Sequence, residues 1–449
     1  MSTPAVADVA SAAAPTRSLS ALDAASTVIG IIVGSGIFFA PAAIAAVAPH
    51  PASAALLWFA GAIVAGFGAL AYAECGARLP HNGGFVVFYE RAWGRGCAYL
   101  TGWAAALLTY PASLAGMAMV GAFNLGEAVP ALRGQQAAVA AAMLIAAGLL
   151  NGLGMRLSTG TQRLLSGGKL LALATLGLAV LLAPRAADVQ VALAQPLFAP
   201  EAGLLTAFAV LMWSFDGWTD VTLIAGEVRD PGRSLARAVI WGLGAVASLY
   251  ALIQVAVMVL LPGEAGQTAQ VVAVATRRAF GPGVGRSIAW LVFLTTLGAV
   301  HSCVLVMSRL TAAMAQQGAL PAWIAVRSRR TGTPLRALVA VVLLGSFYLV
   351  SQSFADLVRL FSFVVWLFYG FTAVTLLRLR RQGVGDPLPY RIPAGPVAPY
   401  VLMAAACLMT GLQVRERPQV AVPGLLLLAL LAAVVVLWER RQVASPKTS

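Results

Sequence analysis

Two short stretches decide how this chain is read: Thr27-Val-Ile-Gly-Ile-Ile-Val-Gly-Ser-Gly-Ile-Phe-Phe39 and Trp213-Ser-Phe-Asp-Gly-Trp218. Each lies within a run apolar enough for a transmembrane helix, and each interrupts that run. In the first, Gly34 and Gly36 flank Ser35. In the second, Asp216 and Gly217 separate two apolar halves. A helix broken inside hydrocarbon frees N–H and C=O groups that lipid cannot satisfy. A substrate can. Gly-Ser-Gly alone also fits a close helix crossing, because small residues let backbones approach. Asp216 resists that explanation: a charged side chain at a helix centre costs about 2.5–3.5 kcal/mol on insertion scales, so it faces protein or water.

Working outward from the two stretches, long apolar runs fall at about 21–46, 53–77, 96–124, 135–155, 162–183 and 202–227. Six more follow at about 235–261, 286–315, 335–352, 355–378, 398–414 and 420–438. This predicts about twelve transmembrane helices, with the interruptions in the first and the sixth. Those positions correspond if the chain is two inverted five-helix repeats plus two extra helices, and interrupted spans at matching places point to a transporter's midplane site. The division expected is a disordered cytoplasmic tail over 1–18, a first repeat over 19–183, a second over 184–380, two further helices over 381–442 and a tail over 443–449.

Composition agrees. Of 449 residues, 60% are hydrophobic and 10% charged, against about 25% charged in soluble domains. The mean hydropathy is +0.85. At roughly 20 residues per span, little is left for a soluble domain, and a water-soluble enzyme is excluded. No phosphate-binding loop, dinucleotide fingerprint, zinc-protease motif or nucleophile elbow is present. Cys75, Cys97, Cys303 and Cys407 lie far apart in or beside apolar runs, which predicts inert thiols rather than a metal site or disulfides. No cofactor or metal is expected. The first 18 residues have no basic segment before an apolar one and do not read as a cleaved signal.

The net charge of +14 would suggest a polyanion partner in a soluble chain, but here it sorts by segment. With the N-terminus inside, the cytoplasmic segments hold 21 basic residues and the outer ones 8, among the latter Arg133, Arg277 and Arg286. Both termini are therefore expected in the cytoplasm. All but Lys169 and Lys447 are arginine. Lys169 sits mid-span, in Ser166-Gly-Gly-Lys-Leu-Leu-Ala-Leu.

Several motifs together resemble the amino acid–polyamine–organocation superfamily, and within it the L-type amino acid transporters and their bacterial relatives. They are Gly34-Ser-Gly-Ile-Phe38, Ser214-Phe-Asp-Gly-Trp218 and the downstream Gly226-Glu-Val-Arg-Asp-Pro-Gly-Arg-Ser-Leu-Ala-Arg237. Arg78-Leu-Pro-His-Asn-Gly-Gly84, the Ser308–Pro321 segment and the Phe361–Gly370 segment also match. The resemblance spans about 20–440. It implies an all-α LeuT-like fold that carries a small amino acid between the two breaks. The reaction implied is secondary-active transport across the inner membrane of a bacterium.

By that resemblance, the N–H groups of Ser35, Gly36 and Ile37 hold the substrate carboxylate at the positive end of a helix dipole. The carbonyl of Ile32, with carbonyls around Trp213, Phe215 and Asp216, takes the ammonium. Trp213 occupies the place of an aromatic gate, though it also reads as a packing residue. Trp218 reads as packing. The Asp216 carboxylate is expected to organise the unwound segment through backbone N–H groups. Lys169 either snorkels to the interface or, as the family implies, holds span five to span one near Gly30 and to span eight near Ser302. In that role it stands where sodium-coupled relatives bind a cation. Lysine, unlike arginine, suits such a buried place because its charge is adjustable. Glu227 is either half of an intracellular salt-bridge gate or part of a solvated helix end. His301 is expected to pack, with a proton relay as the alternative. Phe85–Trp93 reads as an amphipathic helix at the inner surface.

The loop Leu125–Gln135 has no cysteine, whereas animal L-type members bond to a heavy subunit through one there. No covalent heavy subunit is therefore expected. The leading expectation is sodium-independent exchange of neutral L-amino acids. The alternatives are a proton-coupled symporter, a carrier of cationic amino acids or polyamines, which would want acidic pocket residues such as Asp216 and Asp220, and a non-transporting sensor or channel.

Overall fold

The computed structural model describes residues 17–34, 36–183, 186–199, 203–268, 270–351, 354–387, 395–416 and 418–444. Among these the only strand-like pairing is an isolated parallel bridge between Leu19 and Val228. Everything regular is helical. In chain order the α-helices are α1 (Ala21–Ile32), α2 (Gly36–Val47), α3 (Pro51–Arg78), α4 (Phe85–Trp93), α5 (Arg95–Ala104), α6 (Tyr110–Ala128), α7 (Gln136–Gly152), α8 (Met155–Leu181) and α9 (Ala186–Leu193). They continue with α10 (Leu204–Ser214), α11 (Pro231–Leu260), α12 (Val271–Phe280), α13 (Gly285–Gln316), α14 (Leu335–Ser351), α15 (Phe354–Arg381), α16 (Ala398–Glu416) and α17 (Pro418–Ala444).

Each of the twelve apolar runs read from the sequence is helical. Five of these stretches are long and apolar enough alone to cross a membrane: α3, the α5–α6 run, α8, α11 and the run ending in α13. The α1–α2 pair, bent by 62°, makes a sixth if counted as one span. The molecule is an all-helical, multi-pass membrane protein. The most extensive packings include α3 along α11 and α6 along α13.

Local chemistry accounts for the irregular places. A capping box between Ser20 and Asp23 starts α1, satisfying otherwise orphaned first-turn donors. Between α5 and α6 the chain winds as a π-helix over Ala105–Thr109. Pro111 follows two residues later and has no N–H to give the Leu107 carbonyl. That carbonyl instead accepts from the Tyr348 hydroxyl on α14 at 2.5 Å. In the sixth run, α10 ends at Ser214, residues 215–219 turn, and a 3-10 helix occupies Asp220–Glu227.

One expectation is corrected here. The apolar face of α4 lies against protein, not along a membrane surface. Phe85, Val86, Phe88, Tyr89 and Ala92 are buried. The Tyr89 hydroxyl lies 2.6 Å from Thr372 Oγ1, and Trp93 Nε1 donates to Thr375 Oγ1 at 2.9 Å. Amphipathic periodicity says that one face seeks apolar surroundings; it does not say whether α15 or lipid supplies them.

Candidate functional site

At the first break the helix does not simply stop. Val33 N–H still reaches Ile29 O at 2.9 Å, but Gly34 N–H turns back to Ile32 O at 2.8 Å, leaving the Gly30 and Val33 carbonyls without helical donors. Both are taken by one ammonium. Lys169 Nζ on α8 donates to Gly30 O and to Val33 O, each at 2.8 Å, and reaches Thr295 O on α13 at 3.4 Å. Lys169 is 4% exposed, so it does not snorkel. On α13 its contact is Thr295, not Ser302 as expected. Ser302 Oγ bonds within its own helix to Gly298 O at 2.9 Å. It stands instead beside Gly30, where an added Cβ would lie 2.4 Å from it and 1.8 Å from Gln162 Nε2. A hydroxyl four residues from a carbonyl on one helix finds that acceptor before any neighbour.

The Ile32 carbonyl, expected to be free for an ammonium, also accepts from the Tyr250 hydroxyl of α11 at 3.1 Å. Ile31, rather than Ile32, lines the cavity beside the break. On the far side, α2 begins at Gly36, so the first-turn N–H groups of Gly36 and Ile37 end at the break. Ser35 lies outside the described residues.

The second break meets the first at two glycines. A Cβ on Gly36 would sit 3.2 Å from Ser214 Cα. Gly217 has φ +107°, open to glycine but not to other residues, and a Cβ there would meet Ile31 Cγ2 at 2.3 Å. Asp216 accepts from the Tyr369 hydroxyl of α15, with the Gly217 N–H alongside. Asp220 Oδ1 accepts from the Tyr110 hydroxyl at 2.7 Å and from Thr219 Oγ1 at 3.2 Å. Between these groups is a cavity of about 40 Å³, lined among others by Ile31, Tyr110, Asp216, Gly217, Asp220 and Tyr369. It has room for a few water molecules, not for an amino acid.

Of the residues expected to bind substrate, Asp216 lines this cavity. Gly36, Ile37, Trp213 and Phe215 do not. Phe215 is fully buried, edge-on to Trp58 at 5.6 Å and near Tyr250 at 5.8 Å. Trp213 is half-buried at the end of α10. Trp218 packs as expected, with its ring 5.5 Å from Tyr72 and 4.8 Å from Tyr369. His301 is 1% exposed and away from the cavity. Its Nε2 faces Ser158 O at 3.2 Å and its Nδ1 faces Asn151 Nδ2 at 3.3 Å. An acceptor on one side and an amide donor on the other fix a single tautomer in a packed polar cluster.

The two broken helices thus meet around a small polar cavity. The model of the family described as Amino acid permease matches residues 19–437. The chain belongs to that family. This permease is 27% identical over 390 residues to the b(0,+)-type amino acid transporter 1 of Homo sapiens, covering 84% of this chain and 79% of that one. It is 28% identical over 396 residues to the Asc-type amino acid transporter 1 of Mus musculus (83% and 72%). Over 395 residues it is 27% identical to the large neutral amino acids transporter small subunit 2 of Mus musculus (84% and 72%). It is a transporter-family protein, not an enzyme.

At the end of the permease where α1 starts, Glu227 is buried rather than solvated. Asn82 Nδ2 donates to its Oε1 at 2.8 Å, Arg309 Nε lies 3.4 Å away and Arg327 3.7 Å. Burial pushes the loop residue Arg327 below the ordinary arginine pKa, and the Glu227 carboxylate acts the other way. Leu19 N–H bonds to Glu227 O at 2.9 Å, and Arg229 N–H to Leu19 O at 2.8 Å. This clasp ties the start of α1 to the end of the sixth run. Replacing Glu227 with Gln removes the buried carboxylate that Arg309 and Arg327 both approach, a loss of roughly 3–5 kcal/mol. The expected result is a lowered melting temperature of the purified protein; an unchanged one would mean that the clasp carries no such energy.

The sequence reading missed the tyrosines and a second buried ion cluster. Tyr369 lies within a quoted motif, but nothing in the sequence pairs it with Asp216, 153 positions away. Glu74 on α3 takes Arg78 Nε at 3.0 Å and Arg380 Nε at 2.8 Å. A glutamate four residues before an arginine was the one local signal for that cluster.

Proposed function

We propose that this permease moves amino acids by alternating access, binding them between the α1–α2 break and the α10 break. In this reading the carboxylate sits on the N–H groups of Ser35, Gly36 and Ile37. The ammonium meets carbonyls of the two breaks, and Trp213 closes over the substrate. The chain makes twelve spans, with repeats over 19–183 and 184–380. The packing of the second run on the seventh and of the third on the eighth supports a two-fold relation between the halves. The membrane is the inner membrane of a bacterium, with both termini cytoplasmic and no covalent heavy subunit.

One observation carries the mechanism: a single buried ammonium, Lys169, satisfies the carbonyls that the first break frees and bridges α8, α1 and α13. A cation fixed there leaves no call for a sodium ion, which favours sodium-independent exchange. The names of the relatives make amino acids the cargo, and one name specifies large neutral ones. A second reading has its own support. Asp216 and Asp220 both line the cavity, and two carboxylates suit a cationic amino acid.

Proteoliposomes containing the protein test both readings against a labelled mixture of the twenty amino acids. Internal unlabelled amino acids should stimulate uptake, and sodium or proton gradients should not. Uptake driven by an inward proton gradient, with no stimulation from inside, would overturn exchange. External L-lysine competing better than L-leucine would select the cationic reading.

A further inference from the structure

At the end of the bundle opposite the Glu227 clasp is a cavity of about 1130 Å³, far larger than the central one. Its walls come from α2, α6, α7, α12 and α13. Its charged lining is Arg133, Arg277, Arg286 and Glu127. Arg133 Nη2 pairs with Glu127 Oε2 at 3.3 Å. Arg277 and Arg286, both exposed, have no carboxylate partner among the described residues. Arg278, beside Arg277, is neutralised by Glu264 at 3.2 Å. Two uncompensated guanidinium groups therefore face one concavity.

The floor of that cavity includes Phe38 and Val292. Phe38 is two residues past Gly36, a rise of about 3 Å along α2, and Val292 lies about one turn before Thr295, which holds Lys169. The cavity thus comes within about one helical turn of the break along α2. Its walls supply positive charge, and its floor adjoins the positive end of the α2 dipole.

We propose that this cavity is a recruitment site for organic carboxylates, where Arg277 and Arg286 capture the anionic end of a solute ahead of the break. The inference rests on the proposed transport for its purpose and on the cavity alone for its existence. Clefts lined by one sign of charge raise local counter-ion concentration by about 10–1,000-fold, an effect that salt removes. Guanidinium forks match a carboxylate in two parallel hydrogen bonds. Arg277 and Arg286 are among the arginines that the inside-positive bias leaves on the outer side, and this gives them a task there.

The test reads the cavity without requiring transport. Cys97 and Cys407 are replaced by Ser, a reporter is introduced as Gln270→Cys at the cavity wall, and the full chain is reconstituted in liposomes. Modification by an anionic methanethiosulfonate should outpace that by a cationic one by about tenfold or more at low ionic strength. The ratio should fall towards one in high salt and in Arg277→Gln/Arg286→Gln, and recover in the double lysine variant. Propionate should slow the anionic reagent more than equimolar chloride does. Equal reaction of the two reagents overturns the proposal, as does a ratio unchanged in the double glutamine variant. Protection by propionate no better than by chloride also overturns it. Failure of the uptake assay with these results intact would sink the transport reading and leave the site standing.

Discussion

Lys169→Ala slows amino acid exchange by at least about 30-fold while the protein still inserts in the membrane. Removing the ammonium strips donors from the Gly30 and Val33 carbonyls, both held at 2.8 Å. A buried acceptor left unpaired costs about 1–3 kcal/mol. Two such groups amount to at least about 2 kcal/mol, and each 1.4 kcal/mol placed on one state of a cycle is tenfold in rate. Lys169→Arg should not rescue, because a planar fork cannot occupy the place of a compact ammonium among three backbone oxygens. Initial rates in proteoliposomes, normalised to reconstituted protein, check both. Full activity in the alanine variant would remove Lys169 from the mechanism.

Gly36→Leu abolishes substrate binding and keeps membrane expression. A Cβ at Gly36 would meet Ser214 Cα at 3.2 Å and Ser214 Oγ at 3.1 Å, so even alanine asks the two breaks to part slightly. A branched side chain has nowhere to go except between α2 and α10, where the substrate is proposed to lie. Gly36→Ala is therefore expected to bind weakly and Gly36→Leu not at all, measured by ligand-induced shifts in melting temperature. The graded pair separates a local wedge from general unfolding, because a misfolded protein would lose its cooperative melt altogether.

What the sequence made legible follows from what each feature depends on. The helices were readable because apolar run length is a local property, and all twelve runs are helical. The breaks were readable because glycine beside serine, or an aspartate between aromatic residues, stands out against hydrocarbon-compatible neighbours. Lys169 was readable by contrast with a chain that otherwise uses arginine. Its partner on α13 was not. Thr295 and Ser302, seven residues apart, share one face of α13, so which of them meets the ammonium depends on an offset of about 10 Å along the helix axis, and no local signal sets that. The Tyr250–Ile32 and Tyr369–Asp216 bonds were hidden for a related reason: a tyrosine in an apolar run reads equally as packing. The α4 helix shows the same limit, since its periodicity revealed a buried face without revealing what buries it.

The central claim is that the two breaks together hold an amino acid. Purified wild-type protein and Gly36→Leu, melted side by side against each of the twenty amino acids, test it most directly. At least one amino acid should raise the melting temperature of the wild type, and none should raise that of the variant. An equal rise in both would place the binding site elsewhere and contradict the account.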